Sequence, residues 1–201
     1  SGGVCLEGDG YMHFAFPTTD FSSYRTVLVH ELTHGCLAHL PLPSWLNEAL
    51  AMRMEQVVCA SGAYSPDLDE FERHANYWNA NSIQQFWSGE SWNIPGESFD
   101  LSYGLARLLW RKIEVDIGAS REAVLDFVRT ANAEDGGEAA SRTCFGVSLA
   151  DLANGLLGKG DWAPAPQKWP NKSLEPAGAS SSGQFKGVGR WPLAPAVHAQ
   201  R

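Results

Sequence analysis

The sequence predicts an α+β fold that is mostly helical, with a small antiparallel sheet edge followed by a helical subdomain. Residues 11–16 (YMHFAF) form a short β-like run that ends at Pro17. Several segments with the apolar periodicity of amphipathic helices follow it. The composition, 44% hydrophobic and 19% charged, is that of a globular protein, and 201 residues are enough to bury a core.

The first predicted helix carries two histidines four residues apart. Residues 27–39 read VLVHELTHGCLAH, so His30 and His34 enclose Glu31 in an HExxH motif. Positions four apart differ by about 40° around an α-helix, which lets both imidazoles face one metal ion. Glu31 lies roughly 100° further round, within reach of a water that the metal activates. Zinc is the metal that this motif indicates.

A third ligand is needed, and His39 does not supply it. The longer motif HExxHxxGxxH requires Gly and His seven and ten residues after the first His. Gly35 and His39 are instead five and nine residues after His30. On a continuous helix, His39 would point about 180° away from His30.

Glu48 is the better candidate for the third ligand. Pro41 and Pro43 end the first helix, and Ser44 is a suitable N-cap for a second. A short turn returns the second helix antiparallel and brings Glu48 opposite the histidines. Two histidines and a glutamate are a known catalytic zinc set. The alternative for Glu48 is an ordinary exposed carboxylate near a helix N-terminus.

Further helices are predicted downstream. They are expected at about 45–59, after Ser65 as an N-cap with Pro66 at the first helical position and Asp67 as an early acid, at 83–87, from 101 to near 118, at 121–132, and after a capping box at Ser148 and Asp151. The helix predicted after Ser65 contains His74. Without a partner motif, His74 is interpreted as structural rather than catalytic.

HELTH and the segment WLNEALA (45–51) together resemble gluzincins, the zinc peptidases with an HExxH…E ligand pattern. The spacing is most similar to the peptidase MA-like family, with Ala49 where the signature WLNEGxA has Gly. The resemblance covers about residues 11–157, and only these two segments are specific. It implies a zincin-like catalytic domain with one Zn²⁺ bound by His30, His34 and Glu48, and with Glu31 as the general base.

A weaker part of the resemblance concerns Tyr103. The stretch from residue 102 is similar to an SYxxxxxxxxYL segment of peptidase MA-like proteins. In aminopeptidase relatives a Tyr at this stage donates a hydrogen bond to the developing oxyanion, so the resemblance implies that role for Tyr103. Packing is the alternative for a Tyr on a helix.

The function implied by the resemblance is a zinc metallopeptidase, an endopeptidase acting on a peptide or protein substrate. Two departures argue against particular relatives: Met52 stands where thermolysin-like sites have an acidic residue, and no GxMEN-type motif precedes HELTH. Two alternatives remain open. One is a catalytically inactive zinc-bearing module that binds peptides or regulates a partner, and the other is a helical domain in which HELTH occurs by chance.

Charge and hydropathy exclude some partners. The net charge is −8, and the first 158 residues are strongly acidic, which disfavours nucleic-acid binding. No run of 18 apolar residues predicts a transmembrane helix, and SGGVCLEGDG has no signal-peptide pattern, so the compartment stays open. Nothing in the sequence predicts an oligomeric state.

Domain organisation follows from a shift in composition. Residues 1–158 are predicted to form the catalytic domain, and 159–201, rich in Pro, Gly, Ala and Ser, an irregular tail. The cysteines, at positions 5, 36, 59 and 144, form no CxxC pair. A disulfide between Cys36 and Cys59 and free thiols both remain open.

Overall fold

The structure, a computed structural model, describes residues 4–8, 11–15, 21–60 and 64–170. The predicted α+β class is wrong, because nearly all regular structure in these ranges is helical. The strands found there are Val4–Gly8 (β1) and Tyr11–Ala15 (β2), which pair as one antiparallel hairpin beside the first helix. A two-stranded ribbon is too small to form a layer of its own, so the core is built between helices.

Eight α-helices occur in the described ranges. They are Phe21–Leu37 (α1), Ser44–Cys59 (α2), Leu68–Tyr77 (α3), Ser82–Ser88 (α4), Glu97–Arg111 (α5), Arg121–Thr130 (α6), Glu138–Phe145 (α7) and Leu149–Leu157 (α8). A π-helical turn, Lys112–Asp116, follows α5, and 3₁₀ turns lie at Glu90–Asn93 and Pro166–Lys168. The predicted capping box at the start of α8 is confirmed. None of these helices has both the length and the apolar character needed to cross a bilayer.

Two helix starts differ from their predictions. Pro43, with φ −63° and ψ 145°, is the residue that precedes α2, and Ser44 is already helical. The third helix begins after Asp67 rather than after Ser65. The Asp67 carboxylate accepts a hydrogen bond from the backbone N–H of Glu70 at 2.8 Å. A carboxylate is favoured at a helix N-terminus because it satisfies a free N–H group and meets the positive end of the dipole.

The hydrophobic core is centred on α2 and α5. Trp45 and Leu46 at the start of α2 are fully buried, as are Leu105 and Leu109 of α5. The indole N–H of Trp45 donates to the carbonyl oxygen of Gly136 at 2.9 Å, so the polar group of this buried ring is satisfied. This packing fixes the helix that carries Glu48.

The chain stays packed against the helices as far as residue 170. Trp162 is buried, and its carbonyl oxygen accepts from the indole N–H of Trp87 at 2.8 Å. The side chain of Gln84 donates to the carbonyl of Ala163 and accepts from the N–H of Ala165, both at 2.8 Å. This packed segment follows the predicted boundary at 158, and the rest of the predicted tail, 171–201, lies outside the described residues.

Cys36, Cys59 and Cys144 are free thiols. Cys36 is exposed at the end of α1 and Cys59 lies at the end of α2, so no disulfide joins these two helices. The side chain of Cys5 lies outside the described residues.

Gly104 allows α5 to approach α3 closely. A Cβ at this position would lie 2.6 Å from Nε2 of His74, which is 1% exposed and cannot move aside. Overpacking costs about 1–3 kcal/mol, and the better helix propensity of alanine offsets roughly 1 kcal/mol of it. We therefore expect Gly104→Ala to lower the free energy of unfolding by up to about 2 kcal/mol. Urea unfolding followed by circular dichroism measures the difference.

Gly155→Ala is the matched control. A Cβ at Gly155 would also meet a side chain at 2.6 Å, but that neighbour is the flexible end of Lys112. Because this end can move away, we expect stability to be unchanged or to rise by up to about 1 kcal/mol. Equal losses in the two variants would contradict the close approach at His74.

Candidate metal centre

The structure brings His30, His34 and Glu48 together. One ligand atom from each lies within 4.8 Å of the others. Nε2 of His30 is 2.9 Å from Nε2 of His34. The Glu48 carboxylate oxygens lie 3.3 Å and 3.6 Å from the Nε2 atoms of His30 and His34. The two histidines come from one face of α1 and the glutamate from α2, as the spacing of the motif predicts.

Two side chains of α2 contact the Nδ1 atoms of the two imidazole rings. Nδ1 of His30 lies 2.5 Å from Oε1 of Glu55, and Nδ1 of His34 lies 3.1 Å from Oδ1 of Asn47. The earlier histidine of α1 thus meets the later residue of α2, which shows that the two helices run antiparallel. Such outer partners fix the tautomer and orientation of a histidine ligand.

Neither Glu55 nor Asn47 was predicted as a partner of the histidines. Glu55 is seven residues after Glu48, two helical turns along the same face of α2, and that spacing was the available signal. Met52, where thermolysin-like sites have an acidic residue, is 2% exposed and belongs to the hydrophobic core.

The donor set fits a cation. Glu55 and Asn47 accept from the Nδ1 atoms, so the Nε2 atoms of both histidines are the ones available to a cation. The two Nε2 atoms and the Glu48 carboxylate converge in one cluster, which a positive charge, either a metal ion or a proton, stabilises. Two imidazole nitrogens and a carboxylate oxygen are the ligand types that Zn²⁺ takes.

The raised pKa of His30 also indicates that the neighbouring carboxylates favour a positive charge in this cluster. Burial lowers this pKa, but the hydrogen bonds and negative charges of Glu48 and Glu55 outweigh burial and raise it from 6.5 to about 9. In the metal-free protein, a proton on His30 therefore partly neutralises the negative charges of the Glu48 and Glu55 carboxylates. A bound metal ion would compete with that proton for the imidazole nitrogen.

Glu31 and Tyr103 border the cluster without belonging to it. Glu31 is 6% exposed, next to His30 on α1. Burial raises the pKa of the Tyr103 phenol far above its ordinary value, and the charges of Glu48 and Glu31 and a hydrogen bond to Glu48 raise it further. Tyr103 is therefore a protonated donor beside the carboxylates. Its ring packs edge-on against Trp92 and Phe99, at centroid distances of 4.8 Å and 5.0 Å.

Two other histidines lie elsewhere. His39 is exposed beyond the end of α1. His74 is buried in α3, where its Nδ1 accepts from the indole N–H of Trp78 at 3.0 Å. Burial and the charge of Arg73 lower the pKa of His74 to about 4, so it is neutral at pH 7. The interpretation of His74 as structural agrees with this environment.

Replacing Glu55 tests its position behind His30. We expect Glu55→Gln to weaken zinc binding by about 10–100-fold, because the ring loses the charged partner that orients it and raises its basicity. Competition with a zinc chelator of known affinity measures this change. Glu122→Gln, at an exposed position of α6, removes the same charge and is expected to leave the affinity unchanged. An unaltered affinity in Glu55→Gln would show that the hydrogen bond has no part in metal binding.

These features define the chain as a helical protein with a two-histidine, one-glutamate cluster between antiparallel helices. No protein-family model, curated protein or solved structure matches the chain.

Proposed function

We propose that this protein is a zinc-dependent peptidase, with an endopeptidase as the more specific hypothesis. The observation that carries the proposal is the convergence of His30, His34 and Glu48 around one point, with Glu31 buried beside them. Glu31 is a buried carboxylate beside the ligands that joins none of them, which is the position that a general base requires. The likeness of HELTH and WLNEALA to gluzincin motifs supports the same reaction class.

His30, His34 and Glu48 would hold the zinc ion. When bound, zinc supplies a Lewis acid that polarises the scissile carbonyl and lowers the pKa of water toward about 7. Three protein ligands would be the number typical of catalytic rather than structural zinc sites.

Glu31 transfers the proton during hydrolysis, and Tyr103 stabilises the negative charge that develops on the carbonyl oxygen. Glu31 accepts the proton of the attacking water and returns it to the leaving amine nitrogen, so no acyl-enzyme forms. Tyr103 donates its phenolic hydrogen to the carbonyl oxygen as that oxygen becomes negative. The raised pKa of Tyr103 keeps this hydrogen in place at neutral pH. Trp92 and Phe99 limit the movement of the ring.

Metal content and metal removal test the proposal. We expect the purified protein to contain about one zinc ion per chain by elemental mass spectrometry, because one His₂Glu cluster binds one ion. It should cleave members of a peptide library, lose that activity with a chelator, and regain it with zinc. A chain that takes up zinc but cleaves no peptide would favour the inactive zinc-bearing module. A chain that takes up no zinc would refute the proposal.

A further inference from the structure

A second site lies in a cavity of about 560 Å³ between α2, α5 and the chain before α3. Its polar lining includes Arg53 of α2, Tyr64, and Arg107, Trp110 and Arg111 of α5. Neither the histidines of the metal cluster nor Glu31 and Tyr103 line it. This cavity is therefore separate from the candidate metal centre.

The charge in the cavity is unbalanced. Arg53 forms an ion pair with Glu114 at 2.9 Å, which neutralises one arginine. Arg107 and Arg111 form no ion pair with any carboxylate of the described residues. Because they are four residues apart on α5, the two guanidinium groups share one helix face, and like charges at that spacing destabilise a helix. The net excess is positive in a chain whose overall charge is −8.

Two buried donors in the same lining lack acceptors. Nε of Arg107 and Nε1 of Trp110 are buried and have no hydrogen-bond partner within the part of the chain that is described. The Trp110 residue is 5% exposed. The Arg107 guanidinium lies 4.6 Å from the centre of the Tyr64 ring, and its Nη2 contacts only the sulfur of Met52, a weak acceptor. Both nitrogens are covered by protein, so the groups that the cavity can offer to a ligand are the remaining guanidinium nitrogens of Arg107 and the guanidinium of Arg111.

The cavity is also shaped by an unusual backbone element. The α5 helix continues into the π-helical turn, in which Ile117 N donates to the carbonyl of Lys112 at 3.0 Å. This wider turn carries Glu114 and Val115 to the edge of the cavity. Single π-turns of this kind occur frequently beside functional sites.

We propose that this cavity binds an oxyanion of the carboxylate or phosphate class. Arg107 and Arg111 balance its charge. Arginine suits this role because its planar fork pairs with two oxygens of one anion. The cavity is larger than a bare phosphate group, so the anion that fits it carries an organic part, which Ala49 and Val115 contact.

Calorimetric titration of the metal-free full chain tests the proposal. The probes are inorganic phosphate, an N-acetylated tripeptide with a free C-terminal carboxylate, and the same tripeptide as its amide. We expect phosphate or the peptide acid to bind and the amide to bind at least tenfold more weakly. Binding of phosphate alone would identify a phosphate group as the ligand, and binding of the acid alone would identify a carboxylate.

Variants locate the binding. We expect Arg111→Gln to weaken binding about tenfold or more, because a charge-assisted pair is lost. Arg107→Gln should also weaken it, because the other guanidinium charge is removed, and the melting temperature of the ligand-free variant shows whether the fold is kept. Arg129→Gln is the control, because Arg129 is an exposed arginine of α6 outside the cavity. It should bind as the wild type does.

Two results would overturn the proposal. One is the absence of binding by both phosphate and the peptide acid at concentrations up to roughly 10 mM, weaker than any specific site of interest. The other is an equal loss of affinity in Arg111→Gln and Arg129→Gln, which would indicate nonspecific attraction. Since no metal is present in the titration, neither result bears on the peptidase proposal.

Discussion

Glu31→Gln is expected to abolish most peptide hydrolysis while zinc content stays at the wild-type level. Glutamine has nearly the same shape as glutamate but cannot accept the proton of the attacking water. A positioned general base contributes typically about 10²–10⁴-fold to the rate, so kcat should fall by that order. Zinc should remain because Glu31 is outside the ligand cluster. Steady-state cleavage of a library-derived peptide and elemental mass spectrometry measure the two quantities.

The same experiment separates chemistry from folding. Glu31 is buried, so its loss could act through stability, and the melting temperature of the zinc-loaded variant must be measured beside its activity. Glu122→Gln serves as the matched surface control and should keep full activity. If Glu31→Gln cleaved peptide at the wild-type rate, Glu31 would not be the base, and the reaction proposed here would have to be abandoned.

The metal cluster was predictable because its signals are local. The spacing of His30 and His34 fixes their relative direction on any α-helix. Pro41 and Pro43 predict a break, and a short break between two helices predicts antiparallel neighbours. These two local facts were sufficient to bring Glu48 opposite the histidines, where the structure has it.

The outer partners of the histidines were harder to predict. That Glu55 meets His30 and Asn47 meets His34 depends on the crossing and rotation of α1 against α2, which side-chain packing decides. The sequence contains the seven-residue spacing between Glu48 and Glu55, but a charged residue at that spacing is common on solvated helix faces. Only the packing of α1 against α2 shows whether Glu55 contacts a histidine or lies on a solvated helix face.

The fold class was wrong for a different physical reason. The β-like run at 11–16 does form a strand, β2, but a strand does not show how many partners it will pair with. Strand pairing depends on segments far apart in sequence, and the structure pairs β2 only with its neighbour β1 among the described residues. Helical periodicity is local, which explains why α2, α4 and α6 lie close to their predicted positions.

Glu48→Ala is expected to reduce zinc affinity by more than the roughly 10–100-fold predicted for Glu55→Gln. Glu48 supplies a ligand atom, whereas Glu55 only orients one. Two imidazoles from one helix would then have to bind the ion without the carboxylate that balances its charge. Purified Glu48→Ala should contain much less than one zinc per chain, and chelator competition gives the affinity.

Thermal unfolding with and without zinc distinguishes the loss of a ligand from general damage. A ligand at about 100 times its Kd stabilises a protein by roughly 2.7 kcal/mol, so zinc should clearly raise the melting temperature of the wild type. In Glu48→Ala this increase should disappear. The metal-free melting temperature should itself fall, because Glu48 pairs with His30 and accepts a hydrogen bond from Tyr103, so the zinc-induced increase is the quantity that reports the ligand. A full zinc-induced increase in Glu48→Ala would show that the third ligand is another residue.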